Sequence, residues 1–244
     1  MEKIIEIVDL CKIYSNGRGI RNISFDVEKG DIVGLLGPNG SGKTTTMKII
    51  TGLCRAQGGS VKVFGRECED NFESIMSRCG VLIEAPAIYE NLSAKKNLAL
   101  AANFYPNVTR ERIDRVLEIV RLSQYKNDKA GRFSLGMKQR LGLALALLSE
   151  PELVILDEPT NGLDIEGMVE IREIIIKLAK EKGVTFLVSS HLAGEIEKMC
   201  NKVSVMYEGE LLTFTDMKDA LQYSATLEDY FLNIVKEKRG SVVI

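Results

Sequence analysis

The stretch Gly37-Pro38-Asn39-Gly40-Ser41-Gly42-Lys43-Thr44 constrains this chain more than any other. The apolar run Ile32-Val33-Gly34-Leu35-Leu36 precedes it and reads as a buried strand. Thr45-Thr46-Met47-Lys48-Ile49-Ile50-Thr51 follows and continues as a helix until Gly52 stops it. Strand, G-x-x-x-x-G-K-[ST], helix is the order of a phosphate-binding loop. Its glycines let the backbone turn tightly enough for successive N–H groups to point into one concavity, and the helix start adds its positive end. Lys43 supplies a point charge for the β- and γ-phosphates, and the Thr44 hydroxyl an oxygen for Mg²⁺. A dinucleotide fingerprint fits less well, because Gly40-Ser41-Gly42 would need a third glycine where Thr45 stands. The loop predicts a nucleoside triphosphate bound by Gly37, Pro38, Asn39, Gly40, Ser41, Gly42, Lys43, Thr44 and Thr45.

Bulk properties narrow the setting. The 244 residues suffice for one large α/β domain or two small ones, and 45% hydrophobic residues supply a sizeable core. A net charge of -2 lacks the basic footprint of a nucleic-acid binder, so no nucleic-acid partner is expected. Cys11, Cys54, Cys68, Cys79 and Cys200 are scattered without metal-ligand spacing and read as packing residues in a reducing compartment. Met1-Glu2-Lys3-Ile4 does not read as the start of a signal peptide. The longest purely apolar stretch, Leu143 to Leu148, falls far short of the roughly 18 residues that span a bilayer. The chain is expected to be soluble, so that any membrane-spanning part belongs to another chain.

Strand patterning marks Ile4–Val8, Ile23–Val27, Ser60–Phe64, Gly80–Ile83, Leu153–Leu156, Val184–Val188 and Val203–Met206. From Asn91 to about Leu148 helical spacing replaces it, with Ile113, Val116, Leu117 and Val120 on one face and Leu141, Ala144, Leu145 and Leu148 on another. A parallel α/β core with an inserted helical block follows from this order.

Three further segments carry chemistry. Leu153-Val154-Ile155-Leu156-Asp157-Glu158 is an apolar strand ending in two carboxylates. Asp157 suits the Mg²⁺ shell of a phosphate-loop enzyme. Glu158, one residue on, suits the base that orients the attacking water. His191, the only histidine, follows the strand Val184–Val188 and Ser189-Ser190, at the edge of a parallel sheet where ligands sit; a γ-phosphate contact is expected there, although a lone histidine is more often structural. Phe133-Ser134-Leu135-Gly136-Met137-Lys138-Gln139-Arg140 opens a helix with a hydroxyl and a glycine, either a second anion site or an ordinary capped start.

The ordered set resembles the ATP-binding-cassette ATPase family over about residues 1 to 215. Gly37 to Thr44 resembles its Walker A motif, Ser134 to Arg140 its signature, and Leu153 to Glu158 its Walker B strand with catalytic glutamate. Pro159-Thr160-Asn161-Gly162-Leu163-Asp164 resembles the D-loop, and Ser189-Ser190-His191 the switch histidine. The resemblance implies ATP and Mg²⁺ as cofactors, Tyr14 as an adenine-stacking residue, and catalytic roles for Glu158 and His191. It implies Thr44, Asp157 and Glu84 near the metal, and Ser134 and Gly136 facing the γ-phosphate held by a partner chain's Lys43. It further implies a homodimer in the ATP-bound state and a separate integral membrane permease, with this chain cytoplasmic and peripheral on the inner face of the membrane. Phe133, Leu135 and Met137 depart from the usual Leu-Ser-Gly-Gly-Gln signature, and Glu84 stands where the family usually has glutamine. With Glu84, the segment looks like the bacterial bacitracin-resistance and lantibiotic-immunity exporter subfamily. A soluble non-transport member, such as an iron–sulfur assembly ATPase, is the other reading. The expected fold is a phosphate-loop NTPase (RecA-like) α/β core with an antiparallel β N-terminal part and an inserted helical subdomain. It forms one domain over residues 1–244: core 1–84 and 151–214, helical subdomain 85–150, C-terminal helical extension 215–244.

Overall fold

A computed structural model describes residues 2–240; residue 1 and residues 241–244, the ends of the expected domain and of its C-terminal extension, lie outside the described residues. β1 (Lys3–Ile13) and β2 (Gly19–Glu28) pair antiparallel, and β3 (Ile32–Leu36) leads into α1 (Lys43–Ile50). β4 (Gly58–Val63), β5 (Arg66–Glu67), α2 (Phe72–Met76) and β6 (Cys79–Leu82) follow. Helices α3 (Ala94–Ala102), α4 (Arg110–Ile119) and α5 (Leu135–Leu147) come next, then β7 (Leu153–Leu156), α6 (Ile165–Lys182), β8 (Thr185–Ser190) and α7 (Ala193–Met199). β9 (Lys202–Tyr207), β10 (Glu210–Asp216), α8 (Met217–Ala220) and α9 (Leu227–Gly240) close the described chain.

Two sheets result. One is antiparallel in the order β2-β1-β4-β5; the other runs β10-β9-β3-β8-β7-β6, parallel except for β10 against β9. The period-two rule explains why the central strands are apolar throughout. Val33, Leu35, Leu153, Ile155 and Leu187 point into the core shared with the antiparallel sheet. Their alternates Ile32, Leu36, Val154, Leu156, Phe186 and Val188 point into the core shared with the helices. The helices between β6 and β7 bury Leu98, Ile113, Val116, Leu117, Leu141 and Ala144 in that second core.

Three differences from the sequence pattern have local causes. β1 runs five residues past Val8, because a bulge at Asp9 (φ 47°), held by its N–H on Ser24 Oγ at 2.8 Å, breaks the alternation that marks a strand. β10 is an antiparallel edge strand that escaped the sequence reading, and it runs to Asp216, beyond the point where the core was expected to end. β8 begins at Thr185 and includes Ser189 and Ser190, which pair with Leu35 and Leu36 of β3; polar residues thus extend a strand whose apolar run ends at Val188. Among the described residues no helix is long and apolar enough to cross a membrane.

Candidate functional site

The phosphate loop hangs between the C-terminal end of β3 and the start of α1, the edge of an open parallel sheet where ligands bind. Its glycines are required in different ways. Gly40 and Gly42 have φ 83° and 106°, the left-handed region that favours glycine. A Cβ on Gly37 would lie 2.2 Å from the Met206 carbonyl oxygen, and one on Gly42 would lie 2.4 Å from Ile20 Cγ2. Gly42 caps α1 without a side chain. Helical geometry leaves the first N–H groups of α1 without intrahelical acceptors, and Lys43, Thr44 and Thr45 line an open cavity of about 290 Å³ together with Tyr14, Asn16, Arg18, residues 39–42 and Glu158. Ser41 Oγ is buried and has no hydrogen-bond partner among the described residues, so the loop carries a polar atom prepared for an acceptor or donor from outside.

The cationic and acidic groups meet at one end of this cavity. Lys43, 5% exposed, donates from Nζ to the Gly37 carbonyl at 2.7 Å and the Pro38 carbonyl at 3.2 Å, and lies 3.3 Å from Glu158 Oε1. Glu158 Oε2 is 2.8 Å from His191 Nδ1. Asp157 is buried and accepts from Thr44 Oγ1 at 2.8 Å and from Ser189 Oγ at 2.6 Å; its N–H donates to the Leu82 carbonyl at 2.8 Å. Lys43 and Thr44, Asp157 and Glu158, and His191, three stretches far apart in sequence, are thus one connected set. A hydroxyl and a carboxylate in contact form a hard-oxygen donor pair that suits Mg²⁺, which takes one or two carboxylates and completes its shell with phosphates and waters. Among the described residues no cluster of three or more His, Cys, Asp or Glu could hold a metal unaided.

The other expected residues are placed differently. Glu84 (φ 62°) does not join Thr44 and Asp157: its exposed carboxylate takes the Lys48 ammonium of α1 at 2.5 Å. That hydrogen bond is the main reason Lys48 holds its proton above the usual lysine range. Tyr14 lines the cavity, with its hydroxyl 3.7 Å from Cys54 Sγ and Lys12 Nζ 5.9 Å from its ring centroid. Ser134 and Gly136 do not line the cavity. Ser134 caps α5, its Oγ accepting from the Met137 N–H at 3.2 Å. Asp164 likewise caps α6 through the Gly167 N–H at 2.9 Å. A larger hollow of about 590 Å³ beside α1, lined by Leu10, Cys54, Cys68 and Phe72 among others, contains none of the expected site residues. Burial pushes the Cys79 thiol up to about 12 and raises those of Cys68 and Cys200 as well, so these three behave as packing groups.

Sequence reasoning passed over Asn16 and Arg18, which line the cavity beside Tyr14 from the β1–β2 turn. The turn-rich Ser15–Gly19 segment was their only signal, and it says nothing of which way a loop folds.

Residues 20–161 match the family model described as ABC transporter. The chain belongs to the ABC transporter ATP-binding family. It is 45% identical over 212 residues to the bacitracin transport ATP-binding protein BcrA of Bacillus licheniformis, covering 87% of this chain and 69% of that one. It is 38% identical over 237 residues to the lantibiotic transport ATP-binding protein SrtF of Streptococcus pyogenes, covering 97% of this chain and 100% of that one. A solved ATP-binding subunit of an ABC transporter superposes with a TM-score of 0.84 at 29% identity, covering 95% of this chain and 99% of that one. A dimeric cassette bound to ADP and Pi shares the fold, with a TM-score of 0.79 at 24% identity over 87% of this chain and 98% of that one. This ABC ATPase therefore binds ATP and hydrolyses it.

Proposed function

We propose that this ATPase powers the export of antimicrobial peptides or similar amphiphiles through a separate integral membrane permease. The observation that carries this reading is the likeness to BcrA and SrtF, whose names specify bacitracin and lantibiotic transport. In this reading the chain is cytoplasmic and sits peripherally on the inner face of the membrane, held by the permease. It forms one domain over residues 1–244, with the core in 1–84 and 151–214, a helical subdomain in 85–150 that meets the permease, and a helical extension in 215–244.

Within the site, backbone N–H groups of residues 37–45 cradle the phosphates and Lys43 exchanges its loop carbonyls for β- and γ-phosphate oxygens. Thr44 and Asp157 would hold Mg²⁺, which would supply charge neutralisation at those phosphates. Glu84, whose Oε1 takes the Lys48 ammonium, would add a further carboxylate oxygen near the Mg²⁺ ion. Glu158 accepts a proton from, or orients, the attacking water, and His191 keeps the Glu158 carboxylate aligned while reaching the γ-phosphate. Tyr14 stacks on adenine. Ser134 and Gly136 serve the nucleotide of a second copy, so that two chains close head to tail around ATP; a solved cassette of this fold is itself dimeric.

The test is a resistance assay. Deleting the gene should raise bacitracin or lantibiotic sensitivity. A wild-type copy should restore resistance and a Lys43→Ala copy should not. Unchanged sensitivity on deletion would sink the peptide-export reading while leaving the ATPase untouched.

A further inference from the structure

Ser189 lies at the centre of the site, yet a serine on a buried strand advertises nothing in sequence. It is fully buried in β8. Its Oγ donates to Asp157 Oδ1 at 2.6 Å and accepts the Glu158 backbone N–H at 2.9 Å. The parallel register makes both contacts possible: Leu156 of β7 pairs with Val188, so the next residues along each strand, Asp157 and Ser189, lie side by side. Asp157 Oδ2 is meanwhile taken by Thr44 Oγ1 at 2.8 Å, so each carboxylate oxygen has one hydroxyl fixing it.

Glu158 needs such an anchor. Its φ of 49° is a left-handed conformation that a non-glycine residue adopts at a steric cost. Strained residues persist where neighbours over-determine them. This one aims the carboxylate at Lys43 and His191. Neighbouring hydroxyls serve otherwise: Ser190 Oγ accepts the Leu192 N–H at 3.0 Å in a local turn, and Ser204 Oγ, buried on β9, has no partner among the described residues. We propose that Ser189 is a positioning residue that sets both acids of the site at once, holding Asp157 by its proton and the Glu158 backbone by its lone pair. The inference rests on the proposed roles of Asp157 toward Mg²⁺ and of Glu158 toward water, and adds a residue that acts only through them.

The experiment compares full-length Ser189→Ala, Ser189→Cys, Ser189→Thr and Ser204→Ala. A thiol matches serine in shape but is a weak donor and acceptor, so Ser189→Cys keeps the test alive if the alanine variant folds poorly. Three quantities are measured: ATP turnover, the Mg²⁺ concentration needed for half-maximal binding of a non-hydrolysable ATP analogue by calorimetry, and binding of that analogue in EDTA. Losing a hydrogen bond to a charged group predicts a fall in kcat of about tenfold or more for the alanine and cysteine variants. The Mg²⁺ requirement should rise, while binding in EDTA, which depends on the phosphate loop, stays unchanged. Ser189→Thr, which restores the hydroxyl, should recover most of the loss, and Ser204→Ala should match wild type. Alanine and cysteine variants with the kcat and Mg²⁺ dependence of Ser204→Ala would overturn the proposal. A Glu158→Gln variant that keeps wild-type turnover would instead overturn the role given to Glu158 beneath it.

Discussion

Lys43 reaches two carbonyls of its own loop and the Glu158 carboxylate, whereas a Cβ added to Gly136 would meet nothing nearer than Leu163 Cδ2 at 3.8 Å. Both residues belong to loops that open a helix and suit an anion. The phosphate loop is finished within the chain: its glycines are demanded by backbone angles and by Ile20 and Met206, its Lys43 is paired with Glu158, and its Thr44 donates to Asp157. The signature loop is not. Ser134 caps its helix, Leu135 is 54% exposed, and no neighbour in the chain requires glycine at 136. In the proposed reading, the glycine at 136 answers to a second copy that approaches from outside. On that reading, the difference separates the half-site that a monomer assembles from the half-site that acquires meaning in a dimer.

The first way to break this contrast is at Glu158. Glu158→Gln keeps the shape and the phosphate loop and removes the base, so ATP affinity should persist while turnover falls by about 10²- to 10⁴-fold. ATP should then hold two chains together, visible as a nucleotide-dependent dimer by size-exclusion chromatography. Near-normal hydrolysis would place the base elsewhere.

Gly136→Val probes the other half. In the single chain the added Cβ meets only ordinary van der Waals contacts, Leu163 Cδ2 at 3.8 Å and Ser134 Oγ at 4.0 Å, so thermal stability and ATP binding should stay close to wild type. In a closed dimer they crowd the partner's nucleotide. Overpacking of about 1–3 kcal/mol corresponds to roughly 5- to 150-fold weaker closure, with hydrolysis falling in step. Loss of monomer stability, or full activity, would show that Gly136 answers to its own chain after all.

Glu84 is bonded to α1, the helix that the phosphate loop opens. Glu84→Gln removes the charge paired with Lys48, an exposed ion pair of small energetic worth. Basal turnover should stay within a few-fold of wild type, while peptide resistance with the permease present should fall further. The Lys48 ammonium, deprived of the carboxylate that raises its pKa, should titrate at lower pH, which NMR of the side chain can follow. Full resistance with unchanged Mg²⁺ dependence would return Glu84 to the role of a solvated loop residue.

How far the sequence carried the reading follows the same division. The phosphate loop was legible because its chemistry is local: a turn, a lysine and a hydroxyl within eight consecutive residues. The strand ending in Asp157 and Glu158 was legible because a fully buried strand is apolar along its whole length. Ser189 was not, since its importance lies in a strand register that brings residues 31 and 32 positions apart into contact. β10 was missed because an edge strand with partly buried faces lacks clean alternation. The bond from Glu84 to Lys48, 36 residues away in sequence, lay beyond any local pattern for the same reason.

Tyr14 offers the smallest and sharpest test, because it borders the finished half without belonging to its bonded set. It follows β1, where its N–H on the Arg18 carbonyl at 2.8 Å closes the turn toward β2. Its ring borders the cavity, with the Lys12 ammonium nearby and its hydroxyl on Cys54. Deleting an aromatic stack costs about 0.5–1.5 kcal/mol, so Tyr14→Ala should weaken ATP binding by roughly 2- to 12-fold. Turnover at saturating ATP should stay near wild type, the opposite pattern to Glu158→Gln. Tyr14→Phe keeps the ring and loses only the contact with Cys54, so its affinity should match wild type. If calorimetry gives Tyr14→Ala the wild-type affinity as well, the ring is packing at a strand end, and the complete half-site reaches no further than the phosphates.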